Sequence, residues 1–148
     1  MTMELRELYQ EIIIDHNRNP RNHYVMPDAT AQAQGFNPLC GDKLTLYLKL
    51  NGNVVKDVSF MGSGCAISQA SASLMTETLI GKTIKEAHEL FTHFHTMVTS
   101  SDEQIAFLDK LTVLAGVKAY PARVKCATLA WHTLEAALNK TKAVVSTE

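Results

Sequence analysis

No segment of this chain offers the roughly 20 consecutive apolar residues that a membrane helix needs. Apolar runs such as Ile12, Ile13 and Ile14 are far shorter. An excess of one charge is also missing: 14 Lys and Arg stand against 15 Asp and Glu, for a net of −1. Nothing in the composition therefore recruits a polyanion, and nucleic acid is excluded as a general ligand. The opening MTMELRELYQEIIIDHN lacks the basic start, apolar stretch and small-residue cleavage site of a signal peptide, so the cytoplasm is the expected compartment. Cysteine is scarce and odd in number. Cys40, Cys65 and Cys126, widely spaced, make a poor disulfide framework. Internal repeats, low-complexity tracts and linkers are absent, which leaves one domain spanning residues 1–148. A chain of 148 residues buries a core without metal or disulfide staples, so a bound metal would point to function before structural rescue.

What is present alternates between two periodicities. Residues 3–16 read as an amphipathic helix, with Leu5, Leu8, Tyr9, Ile12 and Ile13 at helical spacing. The stretch NRNPRNHYVMPDAT is loop-like, and a short extended segment is expected over residues 30–36. In residues 43–50, Leu44, Leu46, Leu48 and Leu50 share one face, the pattern of a half-buried strand. Asn51-Gly52 signals a hairpin, and Val54, Val58 and Phe60 are expected on one face of the return strand, residues 54–60. Met61-Gly62-Ser63-Gly64 is expected to break that strand.

Four helical patterns close the chain. One starts near Cys65, carries Ile67, Ala70, Ser71, Leu74 and Thr78 along one face, and stops at Gly81. Thr83 and Glu86 form a T-x-x-E capping box for a second, with Ile84, Ala87, Leu90, Phe91, Phe94 and Val98 inward. Ser100 and Glu103 repeat the signature for a third, with Ile105, Leu108, Leu111 and Ala115 inward. Pro121 suits the first turn of a fourth, striped by Val124, Ala127, Trp131, Leu134 and Leu138. The terminal VVSTE is expected to fray. Strands before helices give an α+β class: a small antiparallel sheet with helices packed on one face.

The three cysteines sit where elements meet. Cys40 lies in the loop NPLCGD, two residues before Asp42. Cys65 follows MGSG at a helix start, where unpaired N–H groups and the positive end of the helix dipole favour a thiolate. Cys126 lies one to two turns into the last helix. Spacing alone leaves two readings open, because no C-x2-C knuckle is present. One is a site of three cysteines with Asp42; the other is three inert, buried thiols. Among the histidines, His93 and His95 in THFHT stand two apart and do not share a helix face. Asp15-His16 at the first helix end, His132 and Trp131 read as structural.

The segments LYQEIIIDHNRNPRN, NPLCGDKLTLYL, FMGSGCAISQASASLM and RVKCATLAW resemble the NifU-N/IscU/SufU group of iron–sulfur cluster assembly proteins, over about residues 5–138. The resemblance implies a SufU/IscU-like fold in which Cys40, Asp42, Cys65 and Cys126 converge on a metal. Within the group the chain is similar to the SufU branch. Lys125 stands where scaffold-type members carry a His before the third cysteine, and the segment around residues 99–118 resembles the SufU insertion. Arg123 also matches SufU-like chains.

That branch implies a zinc-dependent sulfurtransferase accepting persulfide sulfur from a pyridoxal-phosphate-dependent cysteine desulfurase of the SUF type. Downstream SUF scaffold proteins are the implied recipients. Three thiolates and one carboxylate suit tetrahedral zinc, with a formal charge of about −2 that Lys125 or Arg123 would offset. A zinc site with four protein ligands is closed, so one ligand must leave for chemistry. Cys40, on a Pro/Gly loop, is the expected leaving ligand and catalytic nucleophile. Two alternatives use the same residues: a scaffold holding iron or a nascent [2Fe–2S] cluster, and a non-catalytic zinc-stabilised interaction module.

Overall fold

The structure is a computed structural model and describes residues 3–99, 109–139 and 145–146. Helix α1 covers Met3–Arg18, with Ile12 and Ile13 against the core. The side chains of Leu5, Leu8 and Tyr9 lie outside the described residues. Strands β1 (Ala31–Asn37), β2 (Asp42–Asn51) and β3 (Val54–Ser63) follow, all antiparallel. The alternation of β2 is realised: Leu44, Leu46 and Leu48 are buried, while Thr45, Tyr47 and Lys49 are half-buried.

The hairpin differs in detail from its sequence reading. Asn51 pairs with Val54, so the loop is Gly52-Asn53, not Asn51-Gly52. Gly52 has φ +62 and Asn53 has no positive φ, the requirement of a type II′ turn. A bulge follows, because Leu50 pairs with Val55 while Lys49 pairs with Asp57. Lys56 is the extra residue, and it flips the alternation. The core face of β3 is therefore Val55, Val58 and Phe60, opposite Leu50, Leu48 and Leu46, and Val54 is displaced from it. The strand also continues through Gly62 to Ser63; the expected break comes only at Gly64.

Helix α2 (Ala66–Leu79) is capped by Cys65 and ends before Gly81, whose φ is +89. Ala70, Ser71, Ala72 and Ser73 are all buried. These small side chains bring α2 close enough for Ser71 Oγ to donate to the Ala127 carbonyl at 2.6 Å. The capping box of α3 (Ile84–Thr99) is formed in both directions: Glu86 N–H donates to Thr83 Oγ1 and Thr83 N–H to Glu86 Oε1. The third helical pattern is corrected. Ser100, Glu103, Ile105 and Leu108 lie outside the described residues, and Asp109–Ala119 is a 3₁₀ helix. Leu111, Leu114 and Val117, at every third position, are buried together with Val113; three residues is the period at which 3₁₀ side chains eclipse.

Helix α4 (Pro121–Leu138) starts with proline in its first turn and is buried from Cys126 through most of its length. It packs on β1 and β2 on one side and on α2, α3 and the 3₁₀ helix on others. Trp131 stacks on Phe94 of α3, centroids 4.6 Å apart. Its approach to β1 is close: a Cβ on Gly35 would meet Thr133 Oγ1 at 2.2 Å. The chain end is corrected as well. Within the expected frayed tail, Val145–Ser146 forms β4, parallel to Gly35 and Phe36, giving the sheet order β3-β2-β1-β4. The open edge of β1 accepts this two-residue strand. The class is α+β, as the sequence patterns indicate. Among the described residues no helix is long and apolar enough to cross a membrane.

Candidate metal centre

The turn between β1 and β2, the start of α2 and the first turns of α4 meet at one end of the sheet. Asn37 and Asp42 are the last register pair of the β1–β2 hairpin, and residues 38–41 form its loop. Parity then sets which way Asp42 points. It shares a face with Leu44, Leu46 and Leu48 and is fully buried with them. A carboxylate so placed needs donors, and it has two. The Cys65 N–H donates to Oδ1 at 2.9 Å, and the Asn37 amide Nδ2 donates to Oδ2 at 3.0 Å.

Cys40 is half-buried on the hairpin loop, beside Gly41 at φ +69. Cys126 is fully buried on α4, and its Sγ lies 3.2 Å from Cys40 Sγ. Both are free thiols at this separation. Cys126 also receives the Asn37 amide at 3.5 Å and donates to the Ala122 carbonyl at 3.5 Å. Cys65 caps α2 from an extended backbone, and its thiol accepts from the Ser68 N–H at 3.5 Å.

Of the four sequence-predicted residues, three gather tightly: the ligand atoms of Cys40, Asp42 and Cys126 all lie within 4.8 Å of one another. Cys65 stands beside this group. Its backbone holds Asp42, and its thiol faces the first turn of its own helix while still bearing on Cys126. Burial, followed by hydrogen bonds with Cys40, Asp42 and Cys65, pushes the Cys126 thiol far above the ordinary range. Exposed Arg123, one turn earlier on α4, is held more firmly cationic by Cys65 first, then by Cys126 and Cys40.

The donor set fits a thiophilic cation. Two sulfurs bound tetrahedrally to zinc at about 2.3 Å stand about 3.8 Å apart, close to the 3.2 Å found here. The buried Cys126 thiol, beside a carboxylate, keeps its proton unless a cation replaces it. The site thus offers two sulfurs and an oxygen at once, with Cys65 beside them.

One residue at this site escapes sequence reasoning. Asn37 touches both Asp42 and Cys126 and is completely buried, yet Asn before Pro reads only as a turn former. Its Oδ1 has no hydrogen-bond partner among the described residues, an arrangement that costs about 1–3 kcal/mol. The histidines stand elsewhere. His16 is buried with Nδ1 2.7 Å from Ser73 Oγ, tying α1 to α2. His95 packs against Phe91 and against His132 of α4.

The sequence comparisons agree with this geometry. Residues 8–146 match the family described as NifU-like N terminal domain. The iron–sulfur cluster assembly scaffold protein IscU of Thermotoga maritima is 43% identical over 138 residues, covering 93% of this chain and 97% of that protein. The zinc-dependent sulfurtransferase SufU of Bacillus subtilis is 42% identical over 137 residues, covering 92% of each. Among solved structures, a candidate iron–sulfur cluster assembly scaffold protein for the SUF system from Fervidobacterium islandicum AW-1 superposes with a TM-score of 0.84. It is 40% identical, and the match covers 90% of this chain and 98% of that one.

Proposed function

The chain belongs to the NifU-like N terminal domain family, and from that premise we propose that it is a zinc-dependent sulfurtransferase of iron–sulfur cluster assembly. Its donor would be a pyridoxal-phosphate-dependent cysteine desulfurase of the SUF type, and SUF scaffold proteins would receive the sulfur. The observation that carries this reading is the unequal restraint of the two closest thiols. Cys126 is fully buried in a helix, whereas Cys40 sits half-buried on a loop 3.2 Å away. Lys125 stands where the resemblance to scaffold-type members implies a His before this cysteine, and that departure favours transfer over cluster holding.

Asp42, Cys65 and Cys126 would hold the zinc, with Cys40 as its fourth and departing ligand. Bound zinc keeps the thiols deprotonated near neutral pH. The Cys40 thiolate attacks the terminal sulfur of the desulfurase persulfide. The new bond is Cys40 S–S; the bond broken is the donor's own S–S, and the donor leaves as a thiolate. The exchange conserves electrons and needs no external oxidant or reductant. Arg123, in the field of all three cysteines, faces the negative charge of the incoming persulfide.

The second reading is a scaffold for a nascent [2Fe–2S] cluster, favoured by the name of the Thermotoga maritima relative. A third, a zinc-stabilised interaction module, would make Cys40 dispensable. One experiment separates all three: metal content of the purified protein, then desulfurase turnover with and without it. Stoichiometric zinc and a large rise in cysteine turnover, abolished in Cys40→Ala, support sulfur transfer. Bound iron with a visible sulfur-to-iron charge-transfer spectrum moves the assignment to the scaffold, and bound zinc with no effect on turnover moves it to the interaction module. Undiminished stimulation by zinc-loaded Cys40→Ala removes the sulfurtransferase assignment.

A further inference from the structure

We propose that Asn37 is a positioning residue: one side-chain amide fixes Asp42 and Cys126 relative to each other, so that these two stay in place while Cys40 moves. The inference rests on the metal-centre reading above. Its basis is that a single nitrogen, Asn37 Nδ2, reaches Asp42 Oδ2 at 3.0 Å and Cys126 Sγ at 3.5 Å. It thereby joins the base of the β1–β2 hairpin to α4, a connection across 89 residues of chain.

Packing alone does not account for an asparagine here. The preceding residues on the same face of β1, Gly35 and Ala33, are small and buried under α4. Asn37 is fully buried too, but its Oδ1 finds no partner among the described residues. An apolar residue would remove that unpaired oxygen, but it would leave Asp42 Oδ2 without its donor. Turning the amide over would set Oδ1 against the Asp42 carboxylate and Nδ2 away from it. The orientation adopted spends the donor on the two groups that carry negative charge when a cation is bound. Asp42 is then restrained on both oxygens, by Asn37 and by the Cys65 N–H. Neither donor is bonded to Cys40. Groups that orient ligands from behind in this way set metal affinity strongly.

The test compares wild type, Asn37→Ala and Asn37→Asp by zinc competition against a chromogenic chelator, by the absorption spectrum of the cobalt(II)-substituted protein, and by thermal unfolding of the metal-free chain. Asn37→Ala is expected to weaken zinc about 10–100-fold and to change the cobalt thiolate bands, and to shift metal-free unfolding to lower temperature because Asp42 loses one of its two donors, with the chain still folding. Asn37→Asp keeps the shape but replaces the donor with a second carboxylate facing Asp42, so it should weaken zinc further than Asn37→Ala. A packing role predicts the reverse order, and that order would overturn the proposal. So would zinc affinity within twofold of wild type and an unaltered cobalt spectrum in Asn37→Ala. If both variants fail to fold without metal, Asn37 is a structural residue and the proposal falls. If wild type itself holds neither zinc nor cobalt, the proposed function fails first and this inference with it.

Discussion

The Cys65 N–H donates to Asp42 Oδ1 at 2.9 Å, and Gly64 is the residue that lets them meet. Gly64 has φ +153, and a Cβ there would stand 2.3 Å from that same oxygen and 3.0 Å from Asp42 Cα. Two effects coincide at one position: a backbone conformation that side chains disfavour and a contact with no room for a methyl group. The helix that carries Cys65 is thereby seated directly on the strand that carries Asp42.

Gly64→Ala should therefore separate α2 from the start of β2 and break this bond. The expected cost is about 1.5–3 kcal/mol, the range for a hydrogen bond to a charged group, together with weaker metal binding. Urea unfolding of the metal-free protein and chelator competition of the loaded one measure the two parts. An alanine variant with wild-type values of both would mean that the seating tolerates a shift, contrary to the geometry described.

A second prediction concerns acid. Burial lowers the pKa of His16 below 6.5, with Arg21 adding to the effect and Glu77 and Asp15 opposing it. Burial also lowers that of His132, with His95 adding and Glu135 opposing. Both are bases that the folded state prefers neutral. As pH falls through 6.5, the unfolded chain takes up protons that the folded chain refuses, so stability is full above this value and declines below it. The exposed carboxylates Asp15, Asp28 and Glu86, with pKa values lowered by their hydrogen bonds, add their own loss only below about 3.8 to 4.5. The interval from pH 6.5 to 4.5 thus isolates the histidines. Urea midpoints of metal-free, reduced protein should fall across that interval, and His132→Phe should flatten the slope. A flat wild-type profile would contradict the burial assigned to these rings.

Local pattern made much of this fold legible. Leu44, Leu46 and Leu48 announce β2, the Thr83–Glu86 box announces α3, and Pro121 announces α4, because each signal lies within a few residues of the structure it specifies. Non-local geometry was not legible in this way. The bulge at Lys56 depends on registration against β2, the 3₁₀ winding of Asp109–Ala119 on what it packs against, and β4 on an open edge of β1 far back in the chain. The candidate metal centre divides similarly. Motif resemblance singled out Cys40, Asp42, Cys65 and Cys126, while spacing alone could not. Asn37 stayed hidden because its meaning comes from a helix almost 90 residues away. The structure also gathers Cys40, Asp42 and Cys126 most tightly, with Cys65 capping α2 beside them, a distinction that no motif carries.

The last prediction tests how α4 is held over the site. Gly35 lies directly under the helix, where a Cβ would meet Thr133 Oγ1 at 2.2 Å and Leu129 Cδ1 at 3.0 Å. Gly35→Ala should force the helix away from β1 and destabilise by about 1–3 kcal/mol, as overpacking does. Cys126 lies on α4 just before Leu129 and bonds to Asn37, two residues beyond Gly35 on the same strand face. The same displacement should therefore weaken metal binding from a position that touches no ligand. Thr133 Oγ1 donates only within its helix, to the Leu129 carbonyl at 2.7 Å, so Thr133→Ala removes the obstructing atom without stranding a partner on the strand. The double variant should recover part of the lost stability and part of the lost metal affinity. Urea unfolding and chelator competition over the four-member cycle read the coupling directly. If the two substitutions are simply additive, the contact does not set the helix position, and α4 is held over the metal centre by its other neighbours.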